Sequence, residues 1–484
     1  MVDNLKNKTV KGFFWSGIDR FSVQGIRFGI EIVVVRLLLP SDYAPIGMLA
    51  IFLAVSQTFI DSGFANALIR KQNRTEEDFA TVFYFNIVVG LLFYFSLFFA
   101  SPYIAAFYNT PVLESLTKVV AINIFINSLA IVQRTKFTIK VDFKTQMKAS
   151  LLAVIISGTV GITMAYNGFG VWALAIQSLV SAVINMTMLW VYSRWIPMRV
   201  FSVSSFKEMF AYGSKLLASG LLDTVYNNMY TLIIGKKFSK TDLGHFTRAD
   251  QFSLLLSANI TGILQRVTFP VLSSIQNDDN RLKVIYRKFL RLSAFIMFPL
   301  MIGLAAVADP FIRFFLTDNW SGLVLILQIL CLSHMWFPIH AINLNLLQVK
   351  GRSDLFLRLE IIKKTIGISI LCITLPIGIT AICIGMIFSS LTGLIINTYY
   401  TGKLIDVGYF KQMKDLLPVL AYSFSMGAVV WGITQLVHTS GLALILSVMA
   451  GIIYYISIAY ITKSPELQEI KTLLVDSKKK ILWS

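Results

Sequence analysis

Charge is scarce in this 484-residue chain: 14% of residues are Asp, Glu, Lys or Arg, 56% are hydrophobic, and mean hydropathy is +0.70. Soluble domains carry roughly 25% charge, so that class is excluded. Cysteine is scarcer still. Cys331, Cys372 and Cys383 all lie inside apolar runs without metal-ligand spacing, which leaves core packing as their role. Histidine occurs four times and forms no paired motif, so a metal enzyme has no support. Acidic residues number 25 against 43 basic ones, a formal charge of +18. In so apolar a chain this excess marks Lys and Arg retained in cytoplasmic loops, and no nucleic acid is expected.

What the chain has in abundance is apolar runs of bilayer-spanning length, about 20 residues each. Barrel strands would be shorter and would alternate in polarity, so the fold class is an all-α membrane protein. About fourteen helices are expected, at 13–37, 43–68, 79–100, 113–133, 146–166, 171–192, 209–235, 244–269, 289–308, 322–347, 357–376, 380–402, 416–436 and 441–462. No small-residue cleavage site follows the first run, so the first helix is expected to stay in the mature protein. Basic residues mark every second connection: Lys6, Lys8 and Lys11, then Arg70, Lys71 and Arg74, then Arg134 to Lys148, and so on to Lys478, Lys479 and Lys480. The connections at 101–112, 167–170, 377–379 and 437–440 contain no Lys or Arg, so both termini are expected in the cytoplasm. Lys236, Lys237 and Lys240, on an expected outer loop, break the alternation.

The first apolar run is unusual in carrying Asp19, Arg20, Gln24, Arg27 and Glu31. Ser16, Arg20, Gln24, Arg27 and Glu31 are spaced by three or four and fall on one helical stripe. A charge at the middle of a membrane helix costs about 2.5 to 3.5 kcal/mol on insertion scales, so the stripe must face a bundle core or a wet cavity. The chain also repeats itself. Arg36–Ala44 (RLLLPSDYA) matches Lys236–Gly244 (KKFSKTDLG), and Ala100–Phe107 (ASPYIAAF) matches Ala308–Phe315 (ADPFIRFF). The repeat is parallel, because an even number of crossings separates its copies. It divides the chain into a six-helix lobe at 1–193, a linker at 194–206, a second six-helix lobe at 207–403, and two further helices with a basic tail at 404–484. The repeat also calls for a second polar stripe, which Lys215, Ser219, Asp223, Asn227 and Tyr230 supply. Arg248, Asn259 and Arg266 share a face of the next helix. Arg266 is the repeat counterpart of Asn66, near Asp61.

Several segments resemble a known family. LLPSDYAPIGM at 38–48, DSGFANALIR at 61–70, YNGFGVWALAIQSL at 166–179, LIIGKKFSKTDLGHFTRADQ at 232–251 and KGRSDLFLRLEIIKK at 350–364 are similar to the polysaccharide transport flippases of the Wzx type. That family lies within the superfamily that also holds multidrug and toxic-compound extruders. The likeness runs from about residue 10 to 465, and departs from the family at His245 and Phe246, where paired aromatics are usual. It implies two six-helix lobes around a central cavity in the bacterial cytoplasmic membrane. It also implies transfer of undecaprenyl-pyrophosphate-linked oligosaccharide between leaflets by alternating access, for O-antigen, capsule or exopolysaccharide synthesis. Membrane lipids are then partners, as are the polysaccharide polymerase and export machinery.

A diphosphate headgroup needs a hydrated cationic path, since Arg offers a planar fork to phosphate and Lys a point charge. The expected substrate-facing residues are Arg20, Arg27, Lys215, Asn227, Arg248 and Arg266. The alternative for each cation is an ion pair with Asp19, Glu31, Asp61 or Asp223. Those same four carboxylates are the candidates for coupling to protons or sodium; no other cofactor is expected. Pro299 and Pro338 fall within expected helices, as hinges or as structural prolines. Two other functions compete. A drug or metabolite exporter of the same superfamily would favour acidic cavities, and a polysaccharide polymerase or ligase would need an outer-face cluster of acid, base and nucleophile, which the short outer loops do not offer.

Overall fold

The computed structural model describes residues 23–61, 64–71, 73–140 and 142–472, without the side chains of Asn66, Tyr212, Lys215, Leu216, Ser219 and Ser353. Among the described residues all regular structure is helical. Helix α1 covers residues 23–37, followed by α2 (Pro40–Asp61), α3 (Phe64–Arg70), α4 (Glu76–Tyr108), α5 (Val112–Val120), α6 (Ile122–Ile139), α7 (Phe143–Tyr166), α8 (Val171–Ser193) and α9 (Val203–Lys237). Next come α10 (Lys240–Ser274), α11 (Asp279–Ala306), α12 (Ala308–Phe315), α13 (Leu323–His334), α14 (Phe337–Val349), α15 (Ser353–Thr374), α16 (Ile379–Ile405), α17 (Tyr409–Leu436) and α18 (Ser440–Ile461). Each of the fourteen expected segments falls mainly on helix where it is described. Among the described residues ten spans are long and apolar enough to cross a membrane. Helices α9, α10 and α15 are not among the ten, and their polar residues account for it.

Two crossings are broken. The one expected at 113–133 is α5 and α6, interrupted at Ala121, and it runs on to Ile139. Arg134 and Lys136, expected in a loop, are therefore helical. The crossing expected at 322–347 breaks at Met335–Trp336, and Pro338 sits in the first turn of α14, where its missing N–H costs nothing. Pro299, by contrast, lies well inside α11.

The repeat is visible in the backbone. Helix α1 ends at 37 and α2 begins at Pro40; α9 ends at Lys237 and α10 begins at Lys240. Leu38 N–H closes α1 on Val34 O at 3.1 Å, and Phe238 N–H closes α9 on Ile234 O at 2.9 Å. The second match is looser. ASPYIAAF is the unbroken end of α4, whereas ADPFIRFF is the separate helix α12.

The chain forms two compact units, Met1–Gly244 and His245–Ser484. In the first, α7 pairs with α8, α4 with α6, and α9 with α2. Lipid supplies no hydrophobic drive between helices, so small residues and polar contacts hold them together. Gly90 on α4 leaves room for Ser128 on α6, where a Cβ would collide with its hydroxyl. Thr58 on α2 meets Thr224 on α9, Oγ1 to Oγ1 at 2.9 Å. In the second unit α11 packs on α17, α15 on α16 and α17 on α18. Gly427 on α17 makes room for Ile302 on α11. A buried polar node ties α11, α14, α16 and α17: Tyr286 Oη donates to Asn343 Oδ1 at 2.9 Å, and Gln412 Nε2 donates to Thr401 Oγ1 at 3.0 Å.

Basic residues near helix ends are tied to acids on neighbouring elements. Lys71 reaches Asp78 at 3.0 Å and Glu208 at 2.9 Å, and the Glu208 carboxylate holds its ammonium above the usual lysine range. Lys136 reaches Glu76 at 3.0 Å and lies over the rings of Phe79 and Trp195. Arg287 grips Asp415 with Nε at 2.7 Å and Nη2 at 2.6 Å. The lysines that break the alternation also have a place at a helix end. Lys236 donates to the carbonyl of Phe107 at the end of α4 and covers its ring. Lys236 and Lys237 close α9, and a cation is favourable at such a C-terminus.

Candidate functional site

The expected site residues fall into three groups. Asp19 and Arg20 lie outside the described residues, and so does the side chain of Lys215 on α9. Arg27, Asp223, Asn227 and Arg266 are exposed on α1, α9, α9 and α10, and Glu31 on α1 is half-buried. Arg248 is buried, and its Nη1 donates to Gln251 Oε1 on the same helix. Asp61, the last residue of α2, accepts a hydrogen bond from Gln57 Nε2 at 3.1 Å.

Gln57, the donor to Asp61, lines a cavity of mixed polar and aliphatic walls that the sequence reading did not assemble. The cavity, of about 490 Å³, lies inside the first unit between α2, α5, α6 and α8. Its polar lining is Gln57 from α2, Asn123, Asn127 and Arg134 from α6, and Ser178, Ser181 and Asn185 from α8. Ile46, Leu53, Leu174 and other aliphatic residues fill the remainder. Hydrogen bonds cross the space: Asn127 Nδ2 donates to Gln57 Oε1 at 3.3 Å, and Asn123 Nδ2 donates to Ser178 Oγ at 3.2 Å. Gln57 thus links Asp61 to Asn127. Arg134 lies within electrostatic reach of Asp61 and, among the described residues, is the sole charged side chain of the lining. The Asn123 Oδ1 atom is buried and has no hydrogen-bond partner among the described residues.

Four amides, two hydroxyls and one guanidinium, set among aliphatic side chains, offer donors, acceptors and one positive charge. Such a lining suits a poly-hydroxylated ligand with an anionic group, and nothing in it cleaves a bond. The signal was in the sequence. Asn123, Asn127 and Arg134 are separated by four and seven, and Ser178, Ser181 and Asn185 by three and four, all within apolar runs. The two stripes went unread because each polar residue, taken alone, is tolerated in a membrane helix.

The second unit contains an apolar furrow of about 390 Å³ between α11, α17 and α18, with Pro299, Gly303, Met426, Val430 and Gly451 in its walls. At the start of α10, His245 is buried against Trp320, ring centroids 6.0 Å apart, with Nε2 3.3 Å from Asn319 O. Here a histidine fills an aromatic position and adds a polar tie.

Comparison with known proteins follows the same lines. Residues 33–325 match the model of the family described as "Polysaccharide biosynthesis protein". The chain is 24% identical over 419 residues to the teichuronic acid biosynthesis protein TuaB of Bacillus subtilis strain 168, covering 83% of this chain and 84% of that protein. It is 23% identical over 447 residues to the lipopolysaccharide biosynthesis protein WzxC of Escherichia coli strain K12, covering 89% of each. Among solved structures, the lipid II flippase MurJ in an inward closed conformation superposes with a TM-score of 0.77 at 14% identity, covering 92% of this chain and 98% of that one.

Proposed function

Because the chain belongs to the polysaccharide biosynthesis protein family, we propose that it is a flippase that moves lipid-linked oligosaccharide repeat units across the membrane for cell-surface polysaccharide synthesis. The cargo is an undecaprenyl-pyrophosphate-linked oligosaccharide, the membrane is the bacterial cytoplasmic membrane, and both termini face the cytoplasm. The observation that carries this reading is the cavity of the first unit, an amide- and hydroxyl-lined space with Arg134 inside a bundle of membrane helices. Sugar hydroxyls exchange water for Asn, Gln and Ser there, and a phosphate or uronate oxygen meets the guanidinium. The transport cycle alternates access from the two faces, and Arg27, Lys215, Asn227, Arg248 and Arg266, with Arg20, guide the headgroup along it. A cationic drug would not be expected to favour a cavity whose one charge is an arginine.

Reconstitution tests the reading. The full chain is placed in vesicles holding a fluorescent polyprenyl-diphosphate disaccharide, and dye accessible to an outside quencher is followed over time. Exchange between leaflets at a rate above that of empty vesicles is the expected result. If exchange is absent, the flippase reading fails. Equal exchange in wild type and the Arg27→Ala, Arg266→Ala double variant would remove those two residues from the headgroup path.

A further inference from the structure

A half-buried acid and a buried imidazole pair within the second unit. Asp250 on α10 faces His334, the last residue of α13, with Oδ1 3.7 Å from Nε2. Among the described residues no Lys or Arg forms an ion pair with Asp250, so its only ionic partner is the imidazole. The hydroxyl of Ser253 donates to the Asp250 carbonyl at 3.0 Å, and its oxygen lies 2.8 Å from His334 Nδ1. When the serine hydrogen lies on the Asp250 carbonyl, Nδ1 carries a hydrogen and donates it to Oγ, which leaves Nε2 open toward the carboxylate. Nε2 and Oδ1, 3.7 Å apart, then face each other as two bases that can take up one proton between them, and we propose that this pair is the site where the transporter binds its coupling proton.

The surroundings suit that role. The side chain of Asp250 keeps 29% exposure while that of His334 keeps 3%, so a proton arrives and leaves through the carboxylate. Taking up one proton converts carboxylate plus neutral imidazole into a neutral pair; losing it restores one buried negative charge, which an apolar bundle disfavours. Of the titratable groups on packed elements, Cys383 on α16 lies within electrostatic reach of Asp250, and Cys331 is buried on the same helix as His334. Arg248, on the helix of Asp250, donates to Gln251. Lys363 on α15 pairs with Glu360, and His340 on α14 is held by Ser390 and Asn397.

His334 also sits at the joint of a broken membrane helix. The backbone leaves α13 at Met335 and re-enters α14 at Phe337 with Pro338 in the first turn. At the same level Ser333 Oγ donates to Met386 O at 3.1 Å, and Ser390 Oγ donates to Ser333 O at 3.2 Å, so α16 satisfies the backbone near the break. A change of charge on His334 or its partner therefore acts on a joint between two half-helices, which is how proton binding is converted into helix movement.

The inference rests on the flippase reading for the meaning of coupling, but the proton site can be tested separately. Purified full-length protein in lipid nanodiscs is titrated while carboxyl and imidazole infrared bands are followed. One carboxyl and one imidazole band are expected to change together. Asp250→Asn should abolish the carboxyl change and move the imidazole midpoint by about 1 to 3 pH units. Ser253→Ala keeps both titrating groups and should shift their shared midpoint, which preserves the test if Asp250→Asn does not fold. In vesicles made more acidic outside by one pH unit, wild type should enrich the fluorescent polyprenyl-diphosphate disaccharide in the outer leaflet by up to about tenfold per proton. Independent titration of the two bands, or exchange that ignores the gradient, overturns the proposal. Joint titration without any exchange leaves the proton site standing and counts against the flippase reading instead.

Discussion

Asp42 and Asp242 lie two hundred positions apart and perform the same task at the start of a helix. Each carboxylate accepts the backbone N–H three residues earlier, Leu39 at 2.9 Å and Ser239 at 3.4 Å. In the second copy Ser239 Oγ also accepts from Asp242 N–H at 3.1 Å, which completes a capping box. Loss of a cap costs about 0.5 to 2 kcal/mol, so Asp42→Ala and Asp242→Ala should each lower the thermal midpoint in detergent. The Asp242→Ala shift should be the larger, since it also removes the Ser239 Oγ bond to the Asp242 carboxylate at 2.7 Å.

Gly170 lies beside the first of those caps. It adopts φ of +56°, and a Cβ there would sit 3.2 Å from Asp42 Oδ1. A side chain in left-handed backbone costs roughly 1 to 2 kcal/mol, and the crowding adds to it. Gly170→Ala should therefore destabilise the α7–α8 hairpin, and Gly170→Ala combined with Asp42→Ala should lose less than the sum of the two. A double-mutant cycle on thermal midpoints reads the difference.

Arg134 supplies the charge of the cavity, so its removal should weaken headgroup binding with little effect on folding. A hydrogen bond to a charged group contributes about 1.5 to 3 kcal/mol, which corresponds to roughly a 10- to 150-fold loss of affinity. Arg134→Ala should show that loss in titration of a soluble short-chain polyprenyl-diphosphate sugar, and Arg134→Lys should recover part of it. An unchanged affinity in Arg134→Ala would remove the guanidinium from the site.

The Arg287–Asp415 pair joins α11 to α17 with two hydrogen bonds, Arg287 being 39% exposed and Asp415 7%. Screening by solvent on the arginine side limits its contribution to about 1 kcal/mol. Arg287→Ala, Asp415→Ala and the double variant should give a coupling energy of that order in a cycle. Asp415→Ala should be the milder single change, because the arginine it leaves behind remains wet.

Acid should loosen the turn between α16 and α17. Lys411 and then Lys283 hold the Asp406 carboxyl below its ordinary range. Its folded value is depressed, so its contribution is complete above the unfolded value near 3.9 and disappears as pH falls through the lower folded one. Thermal stability in detergent should decline below about pH 4, and Asp406→Asn should flatten that part of the profile.

Much of this fold could be read from apolar periodicity, because a bilayer leaves the backbone one choice and spacing reports it. The long apolar helices, the repeated helix break before Pro40 and Lys240, and the tie of Lys118 to Glu114 one turn earlier, at 2.8 Å, follow from local patterns. Ala121 and Met335 were not legible as breaks, since nothing at either position forbids a helix. The cavity was legible only in halves. A charge in an apolar run draws attention, so Arg27, Asp61 and Arg266 were singled out, whereas Asn123, Asn127 and Asn185 carry none. Bringing those amides to one space depends on how α6 meets α8, with Trp190 Nε1 donating to Leu129 O at 3.0 Å. The pairing of Asp250 with His334 likewise depends on tertiary contact across 84 positions of chain.

An amide end group presents a donor and an acceptor side by side and can turn over by half a rotation. Gln57, Asn123, Asn127 and Asn185 can therefore trade partners with hydroxyls in new positions while the electrical character of the chamber stays the same. On the proposed flippase reading, repeat units that differ in the placement of their hydroxyls would therefore be met by one and the same wall.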